Sequence, residues 1–181
     1  IQANALLNTL LAKELVAVLD ALAAKGVHAI PFKGVTLAQT AYGDLGLREC
    51  ADFEMIVDRG SIPQARQVLW SQGYQLTSQD MEEGHESDEP RHFFQKKNGI
   101  VAVDLQWIMA RRHFGFRLDR SVFWSRLKPV HLPAKTVMGL CPEDLLILLC
   151  VHGSKQAWKQ LKWICDVAEL VRRRQALDWS R

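Results

Sequence analysis

The sequence predicts an α/β fold that ends in an all-helical tail. Three observations lead there. Leu7, Leu11, Leu15, Val18 and Leu22 recur at helical steps. Short apolar runs then alternate with helical patterns as far as Trp107. From Pro142 onward only helical periodicity is left.

Taken in order, the leucine stripe predicts a helix over residues 2–25, with Gly26 as its stop signal. Val27 to Phe32 is an apolar run holding Pro31, so it reads as a strand with its proline at an edge or a strand end. Lys33-Gly34 opens a second helix, Val35 to Tyr42, through a tight turn, and 43–46 is loop. Phe53 to Val57 is a buried strand flanked by acids. Ser61 to Gly73 is a helix with Pro63 in its first turn, and Tyr74 to Thr77 a strand. The stretch SQDMEEGHESDEP, 78–90, is acidic and aperiodic, which predicts an exposed loop. Asn98-Gly99 joins two strands, Phe93 to Lys97 and Ile100 to Trp107, as a hairpin. In its second arm Val101, Val103, Leu105 and Trp107 form an apolar face, and Asp104 lies on the polar one. Pro142-Glu143-Asp144 begins a helix with proline and two acids in its first turn, and a last helix spans Ala157 to Arg174.

Composition narrows the function classes. With 48% hydrophobic and 24% charged residues the chain is an ordinary globular one, not a disordered or collagen-like one. A net charge of +3 is too mild to announce a nucleic-acid binder. The longest apolar run, Leu145 to Val151, is far too short to span a bilayer, so no membrane partner and a cytoplasmic location are expected. Cys50, Cys141, Cys150 and Cys165 form neither a CxxC pair nor a disulfide framework, which suits reduced cysteines in a packed chain. Ile1 in place of an initiator methionine leads us to expect a trimmed chain or a fragment.

Two sets of residues carry chemistry. Asp52 and Glu54, two apart on a strand, point the same way. Two carboxylates on one face of an apolar strand are costly to bury unless a cation sits with them, and Mg²⁺ prefers such hard oxygen ligands. Asp104 adds a third acid, and three acids on two strands can hold two ions for displacement at phosphorus. The same spacing also suits an exposed edge strand with solvated acids. Lys33-Gly34, between a strand and a helix, suits phosphate binding by backbone amides, although no P-loop or GxGxxG accompanies it. Arg48 suits either a phosphate contact or a salt bridge. Trp107, Trp158 and Trp163 sit among aliphatic residues and read as core, and Arg172, Arg173 and Arg174 as a solvated helix end.

FKGVTLAQTAYGDLGLREC, ADFEMIVDRG, LWSQGYQL, RHFFQ and VAVDLQW, in that order, resemble the uncharacterised bacterial nucleotidyltransferases, distant members of the polymerase-beta superfamily. The tail CPEDLLILLCVHGSKQAWKQLKWICDVAEL is similar to that family's helical segment, and the likeness covers residues 26–179. The resemblance implies a minimal palm, with a short mixed sheet and helices on one side. It divides the chain into a palm with its N-terminal helix, 1–134, and a C-terminal helical segment, 135–181, expected to be cut short. It implies that Gly34 is the glycine of a turn gripping the triphosphate. Asp52, Glu54 and Asp104 would be the catalytic acids holding Mg²⁺ (or Mn²⁺). Lys33 and Arg48 match basic positions read as phosphate contacts. His92 matches a recurrent position and is taken as a further nucleotide-binding residue, and His152 matches a recurrent position in the helical tail.

Two departures stand out. Glu54 occupies a place where the family usually shows Asp, and Gln106 one where it often shows His. The expected activity is metal-dependent transfer of a nucleoside monophosphate from a nucleoside triphosphate such as ATP, releasing pyrophosphate. The acceptor is a protein, an RNA or a small molecule. A catalytically idle nucleotide- or partner-binding palm is the rival, and an RNA-binding tail a third reading. On this view Gly34→Val is expected to abolish triphosphate binding with the fold intact, because a branched side chain would block the approach of phosphate.

Overall fold

A computed structural model of the chain describes residues 2–77, 91–97, 99, 101–107, 120–173 and 177–179. The acidic stretch 78–90 lies outside the described residues. Helix α1, Gln2–Ala23, buries Leu11, Leu15, Val18 and Leu22, the stripe that its periodicity marks. Strand β1 (Ala29–Pro31), helix α2 (Val35–Leu37, continued by a wide π turn, Ala38–Tyr42) and strand β2 (Asp52–Val57) follow. Helix α3 is Ile62–Ser71, and strands β3, β4 and β5 are Tyr74–Leu76, Arg91–Lys96 and Ala102–Gln106.

The five strands make one mixed sheet in the order β1-β2-β5-β4-β3. Only β2 and β5 run parallel. β1 is therefore an edge strand and Pro31 its last residue, where a missing N–H costs the ladder nothing. β4 and β5 form the hairpin expected around Asn98-Gly99, closed by Lys96 N–H donating to the Val101 carbonyl at 2.9 Å.

Register decides which side chains meet. Glu54 pairs with Asp104, Asp52 with Ala102, and Ile56 with Gln106. Period-two alternation then puts all three acids on one face. Phe53, Met55, Val103, Leu105 and Phe94 lie on the other, in a core closed by α1 and α3. Helices were expected on one side of the sheet only. A second apolar cluster instead covers part of the acid face. Ile30 and Ile56 meet Leu145, Leu148 and Leu149 of helix α5, Pro142–Lys155, and Leu170 of helix α6, Leu161–Arg173. The reason lies in β2 itself, whose alternate residues read Asp, Glu, then Ile. That face is polar at its start and apolar at its end, so helices dock only on the end.

Between the two parts the chain makes helix α4, Arg120–Ser125, and a hairpin of β6, Lys128–His131, and β7, Thr136–Gly139. The sequence reading did not foresee this hairpin. Its prolines obscure the strand pattern, and its only inward residues are Val130 and Val137 on one side of the ladder and Gly139 at its end. Among the described residues no helix is long and apolar enough to cross a membrane.

Candidate functional site

The polar half of the acid face, left uncovered by α5, opens into a cleft of about 490 Å³. Its floor is the sheet, with Asp52, Glu54, Asp104 and Gln106 from β2 and β5, and Arg91 and Phe93 from β4. One wall comes from Lys33 and Arg48. The other comes from the end of α5 (His152, Lys155), the connection (Gln156, Gln160) and the start of α6 (Lys162, Trp163).

The floor is a hydrogen-bonded network. Lys33 Nζ donates to both oxygens of Glu54, at 2.9 and 3.0 Å. Gln106 Nε2 donates to Glu54 Oε2 at 3.0 Å and to Asp104 Oδ2 at 2.9 Å. Arg91 reaches Asp104 Oδ2 at 3.3 Å. Asp104 is only 3% exposed, and its Oδ1 is buried with no hydrogen-bond partner among the described residues. The alternative of a solvated Asp104 on an exposed strand does not fit this burial: Asp104 lies on the cleft floor beneath Gln106 and Arg91.

Electrostatics follow from this packing. Burial, and then the neighbouring Glu54, push the Asp104 carboxyl up to about 7. The same two causes raise Asp52. Burial acts in the same direction on Glu54, but the charge and hydrogen bonds of Lys33 outweigh it and hold that carboxyl low. His152 is driven down to about 4, first by burial and then by Lys33, so it is neutral at pH 7.

Gly34 is buried and is not among the cleft-lining residues. It takes φ +62°, and a Cβ there would come within 2.4 Å of the Asp52 carbonyl oxygen. The turn packs directly on β2, which by itself requires glycine here. The expectation that Gly34→Val leaves the fold intact therefore fails.

Arg48 lines the cleft and is also the centre of a buried junction. Its Nε and one terminal nitrogen grip Asp166 of α6 at 2.8 and 3.0 Å, and the Tyr42 hydroxyl donates to Asp166 at 2.8 Å. Asn8 of α1 holds the Arg48 carbonyl at 2.7 Å. Arg173, exposed at the end of α6, adds a bond to the Tyr42 carbonyl at 2.8 Å. This junction fixes the helical wall relative to the sheet. Asp166→Asn leaves the buried guanidinium without its counter-charge, and a loss of about 3 kcal/mol is expected in urea unfolding. An unchanged midpoint would show that the junction carries no net stability.

Of the expected site residues, Lys33, Arg48, Asp52, Glu54 and Asp104 line one cleft. His92 is not brought there. It pairs with Leu105 on the opposite face of the sheet and packs against the rings of Phe94 and Trp107, with centroids at 6.3 and 4.8 Å. Sequence reasoning missed Arg91, Lys155, Lys162 and the placement of Trp163. Trp163 lines the cleft and takes the His152 ring edge-on at 5.1 Å, instead of lying in the core. The His-Gly pair was the available signal. His152 faces the cleft, while a Cβ at Gly153 would meet the Trp158 ring at 2.4 Å, so the glycine lets the connection fold back.

Similar architectures are found in solved structures. The lincosamide antibiotic adenylyltransferase LnuA, in its lincomycin-bound crystal structure, is similar with a TM-score of 0.59 and 15% identity, over 87% of this chain and 94% of that one. ANT(2'')-Ia in complex with adenylyl-2''-tobramycin is similar with a TM-score of 0.64 and 9% identity, over 90% and 88%. At such identities the likeness is one of fold. Among curated proteins no sequence matches. The pattern of the uncharacterised nucleotidyltransferases, however, matches residues 1–181 from end to end, and with the fold and the acid-floored cleft in place, the chain belongs to that family.

Proposed function

We propose that the chain transfers a nucleoside monophosphate from a nucleoside triphosphate, ATP foremost, to an acceptor hydroxyl and releases pyrophosphate. The observation that carries this reading is one cleft with three carboxylates on its floor and Lys33, Arg48, Arg91, Lys155 and Lys162 around it. Such a ring of cations suits a polyanionic triphosphate. The similar structures, a lincosamide adenylyltransferase and ANT(2'')-Ia with adenylyl-2''-tobramycin, favour an adenylyl donor and a small hydroxyl-bearing acceptor.

A divalent cation fits the floor. The donors are hard oxygens, and the bare, buried Oδ1 of Asp104 is a charge-starved atom that an ion would satisfy. Asp52 and Asp104, with Glu54 beside them, would hold Mg²⁺ or Mn²⁺. Bound there, the ion would neutralise charge building on the transferring phosphoryl group. Lys155 and Lys162 would take the β- and γ-phosphates, and Arg91 would sit beside the transferred group. Asp104 would hold the ion through Oδ1 and so help orient the acceptor hydroxyl, whose proton would leave to solvent in the open cleft. Phosphate binding is assigned to these side chains and not to the Gly34 turn.

Incubation with each α-³²P-labelled nucleoside triphosphate, Mg²⁺ or Mn²⁺ and whole-cell lysate should label one acceptor in a metal-dependent way. One observation favours the rival, a binding module without turnover: Lys33 already occupies Glu54. That reading expects calorimetric nucleotide binding with no labelled product.

A further inference from the structure

The floor of the cleft distributes its charges unevenly. Glu54 has both oxygens on Lys33 and one of them also on Gln106. Lys33 is a buried ammonium, its side chain 5% exposed, committed to that carboxylate. The Asp52 side chain accepts no hydrogen bond among the described residues, and Asp104 keeps one bare oxygen. No three acid, histidine or cysteine side chains are grouped to hold an ion among the described residues. Glu54 is thus neutralised on both oxygens, Asp104 meets Arg91 and Gln106 on Oδ2 alone, and Asp52 and Asp104 Oδ1 are the oxygens left for an ion.

The chemistry of Glu54 and Gln106 explains how. Glutamate is longer than aspartate by one methylene, and here its carboxylate meets a lysine just past the end of the neighbouring strand β1. Gln106, two residues beyond Asp104, uses one amide nitrogen to tie Glu54 to Asp104. The two positions look independent in sequence yet touch at 3.0 Å in the fold. A second divalent ion about 4 Å from the first would need Glu54 as a ligand. It would have to expel a buried ammonium and leave that charge unpaired, which is costly.

We propose that the chain binds a single divalent ion, ligated by Asp52 and Asp104, and that Lys33 is a tethered cation filling the place of a second ion at Glu54. The inference rests on the nucleotidyl-transfer reading and concerns how its site is charged. Glu54 and Gln106 then act as one unit that presents a carboxylate to Lys33, and neither is a metal ligand.

The test counts ions directly. Each of the four α,β-methylene ribonucleoside triphosphates is bound to the protein with Mn²⁺, and the tightest complex is examined by equilibrium dialysis and electron paramagnetic resonance. The wild-type protein should bind one Mn²⁺ per chain with an uncoupled spectrum. Lys33→Met should free Glu54 and admit a second Mn²⁺, giving the spin-coupled spectrum of a close pair. Two coupled ions in the wild type, or one in Lys33→Met, would overturn the inference while leaving the transferase reading intact. Should Lys33→Met fail to fold, the neutral pair Lys33→Met with Glu54→Gln removes both partners together, a change that buried pairs tolerate. It should keep one Mn²⁺ with affinity within threefold, and loss of that ion would show Glu54 to be a ligand. Absence of nucleotide-dependent Mn²⁺ binding in the wild type would overturn the transferase reading and this inference with it.

Discussion

Asp104→Asn should reduce label transfer by roughly a thousandfold or more, while making the ion-free protein more stable. Both effects come from one observation: a carboxylate buried to 3% exposure with one oxygen lacking a partner among the described residues. In water a carboxylate resists protonation until near 3.8, and in this fold Asp104 takes its proton at about 7. Between those values the folded state holds more protons than the unfolded one. Stability contributed by this group therefore falls as pH rises from about 4 to 7 and stays low above that.

In the presence of a chelator, the melting temperature of Asp104→Asn should exceed that of the wild type at pH 8 by several degrees. The gap should shrink toward pH 5, where Asp104 is protonated. His152, lowered to about 4, acts in the opposite direction: its contribution is lost as pH falls through 6.5 toward 4. Only the difference between the two proteins isolates Asp104. Transfer within threefold of wild type would remove Asp104 from the site, and equal melting temperatures at pH 8 would show that its charge is compensated.

Gly34→Val should damage the fold itself. The residue sits at φ +62°, where a β-branched side chain is strained, and its Cβ would press to 2.4 Å on the Asp52 carbonyl. Backbone is what it meets, so no side chain can swing away. A loss of about 3 kcal/mol or more is expected, a drop of about 6–12 °C in melting temperature for a chain of this size. Nucleotide affinity would fall too, through displacement of β2 and Asp52. An unchanged melting temperature with lost nucleotide binding would restore the glycine as a phosphate contact.

The secondary structure was legible wherever local chemistry is strong. The α1 leucines, the Asn98-Gly99 turn and the proline-led start of α5 are each set by residues close in sequence. So was the common face of Asp52 and Glu54, since strand alternation needs no tertiary information. The β6–β7 hairpin was not legible, because its few inward residues and its prolines leave no alternating signal.

The site divides along the same line. Sequence alone determined which residue types face the cleft from β2 and β5, because their spacing within a strand settles their side of the sheet. Tertiary structure decided everything that depends on partners far apart in the chain. Lys33 lies 21 residues from Glu54, and Arg48 is 118 from Asp166. His92 looked like a site residue until β-pairing placed it opposite Leu105, on the far face. Trp163 looked like core until the α5–α6 turn placed it at the cleft. Charge type and strand side are local properties of a sequence. Which charge neutralises which depends on pairing register and helix docking, and these follow from burial of the whole apolar surface at once.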